Sequence, residues 1–240
     1  LQLTKPEILR DDPTNFVTLF RDAQISGLSF TRDTKEAIKR ALNFTPELTA
    51  LNPAIRDIFL SILSNKRGVA PIIRSMHELG VLTWLLPEFG HLKWHTQRDL
   101  YHIYAIDEHT LHGMRELDRL RDGVYKETLP LLTQVMREID RTDLLFLAML
   151  FHDVGKGFGV EHSERSASFV TRASKRWQMS GDDAHEWGVL GRQHLFMSHI
   201  AQRRDLSDDT QIAAFARAVE NPGCLKRLYL LTFADMKAVG

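Results

Sequence analysis

An all-α fold follows from three features of this sequence. Apolar residues recur mostly at helical spacing, the segments that carry them begin and end on helix start and stop residues, and alternating polar and apolar runs bounded by turn dipeptides are missing. In chain order, Asp11-Asp12-Pro13 opens one helix and Thr31 to Thr34 a second, because short polar side chains accept the first free backbone N–H groups and proline suits a first turn. Pro53 then precedes Ile55, Ile58, Phe59, Ile62 and Leu63, and Val69, Ile72, Ile73, Met76 and Leu79 run up to Gly80; both spacings predict amphipathic helices. Between Gly80 and Asp99, Pro87, Gly90 and a mixture of aromatic and polar residues interrupt the pattern. That break predicts a boundary between a smaller helical linker region, 1–90, and a C-terminal helical bundle, 91–240.

The helix around Tyr101 to Arg121 places His102, Ile106, His109 and Gly113 on one face, with Ile103, Leu111, Met114, Leu117 and Leu120 serving packing. From Thr142 to Asp153 the chain is different, since Leu144 to Phe151 leaves no polar face until His152. A helix of that kind is buried all round, so His152 and Asp153 are expected at the end of a core helix, stopped by Gly155. Ser207-Asp208-Asp209 opens a late helix, and Leu228 to Ala234 forms another apolar run that ends on Asp235.

Composition narrows the function classes. With 31 basic and 31 acidic side chains the formal charge is zero, which offers no electrostatic footprint for duplex nucleic acid or anionic lipid. The longest apolar run, Leu144 to Phe151, is far short of the roughly 20 residues that cross a bilayer. One cysteine, Cys224, cannot form an intrachain disulfide, and this favours a reducing, cytoplasmic home. The opening Leu-Gln-Leu-Thr-Lys carries no charged-then-apolar leader and no initiator Met, and reads as part of a longer chain.

Eleven histidines against one cysteine mean that a transition-metal site here would be built from imidazole and carboxylate. His109 can look inward from its helix, and His152 and Asp153 can reach one ion where the core helix frays. Asp235 follows an apolar run, a setting in which an ionised carboxylate rarely stands alone. Each has a plainer reading: a solvated histidine, a helix-closing Asp153, or an Asp235 paired with Lys237 or Arg227. The combination of the four favours a divalent metal site.

The motifs "DEHTL" (Asp107 to Leu111), "LFHDVGKG" (Leu150 to Gly157) and "FADMKA" (Phe233 to Ala238) resemble the signature of the HD superfamily of metal-dependent phosphohydrolases. Further stretches, among them "MHELGVL" (Met76 to Leu82), "RDLYHIYAIDEHTL" (Arg98 to Leu111), "EHSERSA" (Glu161 to Ala167), "RQHLFMS" (Arg192 to Ser198) and "AQRRDLSD" (Ala201 to Asp208), are similar to one family in particular. It is that of the bifunctional uridylyltransferases and uridylyl-removing enzymes acting on the nitrogen-regulatory protein PII. The resemblance implies an HD-domain bundle, metal ligation by His109, His152, Asp153 and Asp235, and removal of UMP from uridylylated PII. The Gly-Ser loop and paired aspartates of the transferase half are not found in these residues. Phe158, Val160 and Glu161 depart from the family's usual loop after the HD pair, which bears on substrate fit.

A divalent ion suits this chemistry because it lowers the pKa of a bound water towards about 7 and polarises a phosphoryl oxygen. Two imidazoles and two carboxylates accommodate Mn²⁺, Mg²⁺, Fe²⁺ or Zn²⁺ alike. Asp153 and Lys156 stand among the catalytic candidates, with Lys156 also positioned as a point charge for phosphate. His162 and His194 are candidates for a second metal, proton transfer or phosphate contact, and Arg203 and Arg204 for steering the uridylyl phosphate or the protein substrate. Two other readings compete: an HD hydrolase of free deoxynucleotides or guanosine tetraphosphate, and a non-catalytic PII-docking module. The remaining histidines read as structural or solvated, and Trp84, Trp94, Trp177 and Trp187 as packing residues, not a base-stacking platform.

Overall fold

A computed structural model of the chain describes residues 1–46, 52–90, 106–156, 162–203 and 209–239, with side chains 165–200 in the fourth stretch. Among these residues there are fourteen helices and no strand, as the periodicity predicts. The N-terminal series comprises α1 (Ile8–Asp11), α2 (Thr14–Ser26), α3 (Arg32–Leu42), α4 (Pro53–Ser64), α5 (Val69–Glu78), α6 (Val81–Leu85) and α7 (Pro87–Gly90). The C-terminal series comprises α8 (Ile106–Arg121), α9 (Pro130–Glu138), α10 (Thr142–Phe151), α11 (His162–Arg176), α12 (Gly181–Arg203), α13 (Asp209–Val219) and α14 (Pro222–Lys237).

The expected start signals act as caps. Asp12 Oδ1 accepts the Thr14 N–H at 2.9 Å, Thr31 accepts from Thr34, and Asn52 accepts from Ala54 beside Pro53. Helix α2 stops at Gly27, whose φ of 69° is the left-handed conformation that turns the chain while its N–H meets the Ala23 and Gln24 carbonyls. The start of α5 has no local cap. Its Val69 and Ala70 N–H groups donate instead to the two carboxylate oxygens of Asp118 on α8, at 3.2 and 2.7 Å.

Helix α10 is the centre of the molecule. Every residue from Leu144 to Phe151 is buried, and α4, α8, α11, α12 and α14 all pack against it. Burial of each such side chain contributes about 1.5–3 kcal/mol, which sets where this helix must lie. The Phe59 ring meets Trp177 edge-on at 5.5 Å and the Phe151 ring meets Trp187 at 4.7 Å, consistent with packing roles for both tryptophans. Arg56 of α4 donates to the Trp177 and Gln178 carbonyls after α11. One apolar core therefore runs from Leu9 and Phe16 in the N-terminal series to Ala234 in α14.

Gly155 lies past the end of regular helix, as its role as a stop requires, but without the left-handed turn that Gly27 makes. Regular helix ends at Phe151 and continues as turns to Lys156; Gly155 has no positive φ, and its N–H donates to Ser166 Oγ at 2.9 Å. The anticipated boundary after residue 90 adjoins 91–105, which lies outside the described residues, as do His91, Trp94, His95, His102 and Ser207-Asp208.

Candidate metal centre

Four side chains from three parts of the fold meet beside the end of α10. Helix α8 supplies His109, the turn after α10 supplies His152 and Asp153, and the last turn of α14 supplies Asp235. One donor atom from each lies within 4.8 Å of all the others. The placement follows from packing. Because α10 is apolar on every side, its end lies deep, and His152 and Asp153 are 0% and 2% exposed. Leu228, Leu230, Leu231 and Ala234 bury α14 and bring Asp235 alongside.

The approach of α8 to α10 depends on Gly113, one turn after His109. A Cβ at that position would stand 2.1 Å from Met149 Cε and 2.8 Å from its Sδ. An alanine there would press on the flexible end of Met149, which would have to shift within the core, and at this crossing the two imidazole rings stand 5.5 Å apart.

His109 Nε2 lies 2.8 Å from Asp235 Oδ1 and 3.8 Å from Asp153 Oδ2. His152 Nε2 lies 3.2 Å from Asp153 Oδ2 and 3.4 Å from Asp235 Oδ1. The other nitrogen of His152, Nδ1, is 2.8 Å from the Met149 carbonyl, which can only accept, so Nδ1 carries a hydrogen. In a neutral imidazole Nε2 then turns a lone pair towards two carboxylates, and no regular hydrogen bond satisfies it. Some positive charge must sit there. Without an ion it is a proton: burial depresses the His152 pKa, but Asp153 and then Asp235 overcome burial and push it up to about 10. Burial would likewise raise the two carboxyls, yet His152 and Lys156 hold Asp153, and His109 and His152 hold Asp235, well below the usual carboxylate range. Two ionised carboxylates and two imidazole nitrogens around one point fit a divalent cation in place of that proton. Of the two basic side chains considered for Asp235 from sequence, Lys237 and Arg227, the second is held elsewhere, by Glu186 and, at 2.9 Å, by Asp140.

Lys156 is buried against the same cluster, with Nζ 2.6 Å from Asp153 Oδ2. His194 on α12 is fully buried; its Nδ1 donates to the Gly191 carbonyl at 2.7 Å, and its Nε2, without a hydrogen-bond partner, stands 4.0 Å from Asp153 Oδ1. Burial, reinforced by His152, lowers the His194 pKa to about 4, leaving a neutral ring with an open lone pair at the edge of the cluster. The backbone of His162 begins α11 and that of Arg203 ends α12, but their side chains lie outside the description, and Arg204 lies wholly outside the described residues.

Two supports of the centre have no local sequence signal. His77 on α5 meets Asp107 at 3.1 Å, and Arg74 holds Glu108 through two 3.0 Å bonds. Both pairs clamp the first turn of α8, immediately ahead of His109. His185, by contrast, pairs with Glu220 on the surface.

Comparison with known proteins agrees with this architecture. Residues 1–84 match the model of the uridylyltransferase GlnD third domain. Over 231 residues, 96% of the chain, the sequence is 33% identical to a bifunctional uridylyltransferase/uridylyl-removing enzyme of Azospirillum brasilense, of which it spans 25%. Among solved structures, a CCA-adding enzyme in complex with CTP superposes with a TM-score of 0.56 over 97% of this chain and 46% of that one; at 14% identity this speaks for the fold alone. Its N-terminal helices thus match that third domain, and nearly its full length is similar to a segment, about a quarter, of a bifunctional uridylyltransferase/uridylyl-removing enzyme.

Proposed function

We propose that this segment is a metal-dependent phosphodiester hydrolase of the HD type, removing UMP from uridylylated PII. The reading rests on one observation, the convergence of His109, His152, Asp153 and Asp235 within 4.8 Å. It draws support from the 33% identity to the bifunctional uridylyltransferase/uridylyl-removing enzyme of Azospirillum brasilense, of which this chain spans 25%. A divalent ion held by these four side chains would supply a water nucleophile at neutral pH and draw charge from a phosphoryl oxygen.

The protein's own groups have definable tasks. His152, with its Nδ1 hydrogen on the Met149 carbonyl, presents Nε2 in one tautomer and one orientation. Asp153 and Asp235 remain ionised at neutral pH and favour a cation over water in a nearly dry site. Lys156 sits against Asp153 and can shift to a phosphate oxygen as a point charge. His194, neutral and with Nε2 open, can accept a proton or orient water beside Asp153. The tyrosyl leaving group of uridylylated PII has a pKa of about 10 and needs little protonation to depart. His162, Arg203 and Arg204 belong to this proposal as phosphate or substrate contacts, and the cytoplasm suits both the single thiol and the partner.

The test is release of UMP from uridylylated PII by the 240-residue chain with added Mn²⁺, run beside Mn²⁺ equilibrium dialysis. His152→Ala and Asp153→Asn are expected to lose both metal retention and at least about 100-fold in rate, since metal catalysis contributes several kcal/mol. Equal rates for the native and both variant chains would remove the proposal. Guanosine tetraphosphate and deoxynucleoside triphosphates are expected to stay intact in the same assay.

A further inference from the structure

Helix α5 belongs to the N-terminal region that the sequence reads as a linker, yet it is fastened at both ends to α8, the helix that carries His109. The Val69 and Ala70 N–H groups at its start meet Asp118, while Arg74 and His77 further on meet Glu108 and Asp107. The two helices therefore run antiparallel, with α5 held in register along about 16 Å of α8. Behind α5, Gln24 of α2 donates through Nε2 to the carbonyls of Ile62, Arg67 and Gly68 at 3.1, 2.9 and 3.4 Å, its Oε1 left without a hydrogen-bond partner. The turn that leads into α5 is thus anchored in its turn.

The His77 and Asp107 side chains are each 10% exposed and 3.1 Å apart. An ionised carboxylate only accepts, so His77 Nε2 carries the hydrogen. The other oxygen of Asp107 accepts the Glu108 N–H at 2.9 Å, and the Phe89 ring meets the His77 ring edge-on at 5.6 Å. Asp107 in this way joins α5 to the backbone of the first turn of α8, directly ahead of His109. Arg74 and Glu108 are half-buried, but their two parallel 3.0 Å bonds form the bidentate geometry that makes an ion pair directional. Helix ends fray unless they are tied, and His109 stands at such an end with its Nε2 2.8 Å from Asp235 and 3.8 Å from Asp153.

We infer that His77 and Arg74 are positioning residues for the metal centre: through Asp107 and Glu108 they hold the first turn of α8 where His109 can reach the ion. The N-terminal helices are then a working part of the hydrolase segment. This rests on the metal reading of the four-residue cluster.

The probe is Co²⁺, titrated into the 240-residue chain and followed by visible absorption and equilibrium dialysis, beside thermal unfolding. His77→Leu keeps bulk and removes the N–H; His77→Gln returns an N–H near the place of Nε2. Loss of a hydrogen-bond partner of a metal ligand costs about 10–100-fold in affinity, and His77 acts one step further out, so about 3–10-fold is expected for His77→Leu. A changed Co²⁺ spectrum accompanies it, and His77→Gln recovers most of both. Arg74→Glu is expected to weaken Co²⁺ about threefold, and Arg74→Glu combined with Glu108→Arg, which reverses the pair at half-exposed positions, to recover it. Variants that take up Co²⁺ with native affinity and native spectrum, whatever their melting temperature, overturn this inference and leave the metal reading standing. So does a loss that neither His77→Gln nor the reversed pair repairs. A native chain that takes up no Co²⁺ removes the metal reading and this inference together.

Discussion

Substitution of Gly113 by alanine tests the link between helix packing and the metal centre. In an exposed helix the change would stabilise the protein, because alanine is favoured over glycine by about 1 kcal/mol. Here the new Cβ would fall 2.1 Å from Met149 Cε, and Met149 is 0% exposed, so the sulfur chain has no solvent to enter. Carbon atoms settle at about 3.5–4.0 Å, so a displacement of roughly 1.5 Å must be shared between Met149 and the separation of α8 from α10. Overpacking on this scale costs about 1–3 kcal/mol. Taking about 2 kcal/mol and subtracting the helix preference leaves a net loss of about 1 kcal/mol, or about 2–4 °C in melting temperature for a chain of this length. Separation of the helices also draws His109 from His152, so weaker Mn²⁺ retention is expected alongside. Thermal unfolding and equilibrium dialysis read the two effects, and Met149→Ala in the Gly113→Ala background is expected to recover part of both. A Gly113→Ala chain that melts higher than the native protein and holds metal equally well would refute the reasoning, as would strict additivity of the two substitutions.

Two further outcomes follow from charge and burial. Arg141 pairs with Asp183 and Asp143 at the start of α10; burial works to raise the Asp183 carboxyl, but Arg141 outweighs it and holds the pKa below the usual 3.8. A lowered folded-state pKa contributes stability above the unfolded value and loses it as pH falls through the folded one. Arg141→Ala is therefore expected to destabilise by about 0.5–1 kcal/mol at neutral pH, with the difference closing as the pH falls below the usual 3.8 and through the depressed folded-state pKa; an equal gap at both ends of a denaturation series would contradict it. Cys224, 1% exposed, has its thiol pushed up to about 12, chiefly by burial and then by Glu186. It is expected to resist a disulfide-exchange reagent at about pH 8 until the chain is unfolded, whereas stoichiometric reaction of the native protein within minutes would disprove that environment.

The helices and the four candidate ligands were legible because their signals are local. Apolar spacing in Val69 to Leu79 needs only 3.6-residue periodicity, and Leu144 to Phe151 announces burial before any partner is known. His152-Asp153 at the end of that run was placed in the core by the run itself. What tertiary structure alone decided depends on contacts between distant parts of the chain. The Asp118 carboxylate that caps α5 lies 48 and 49 positions from the N–H groups it accepts, and His77 reaches Asp107 across 30. No residue type near either end of these pairs specifies the other. Gly155 illustrates the same limit in reverse: glycine at a helix end suggests a left-handed stop, but the close approach of Ser166 gives its N–H a partner without one. Likewise the unsatisfied Gln24 oxygen exists only because three carbonyls, from the end of α4 and the turn before α5, converge on its nitrogen. Local propensity determines helices; the side chains that face one another across them are determined by how a shared core is filled.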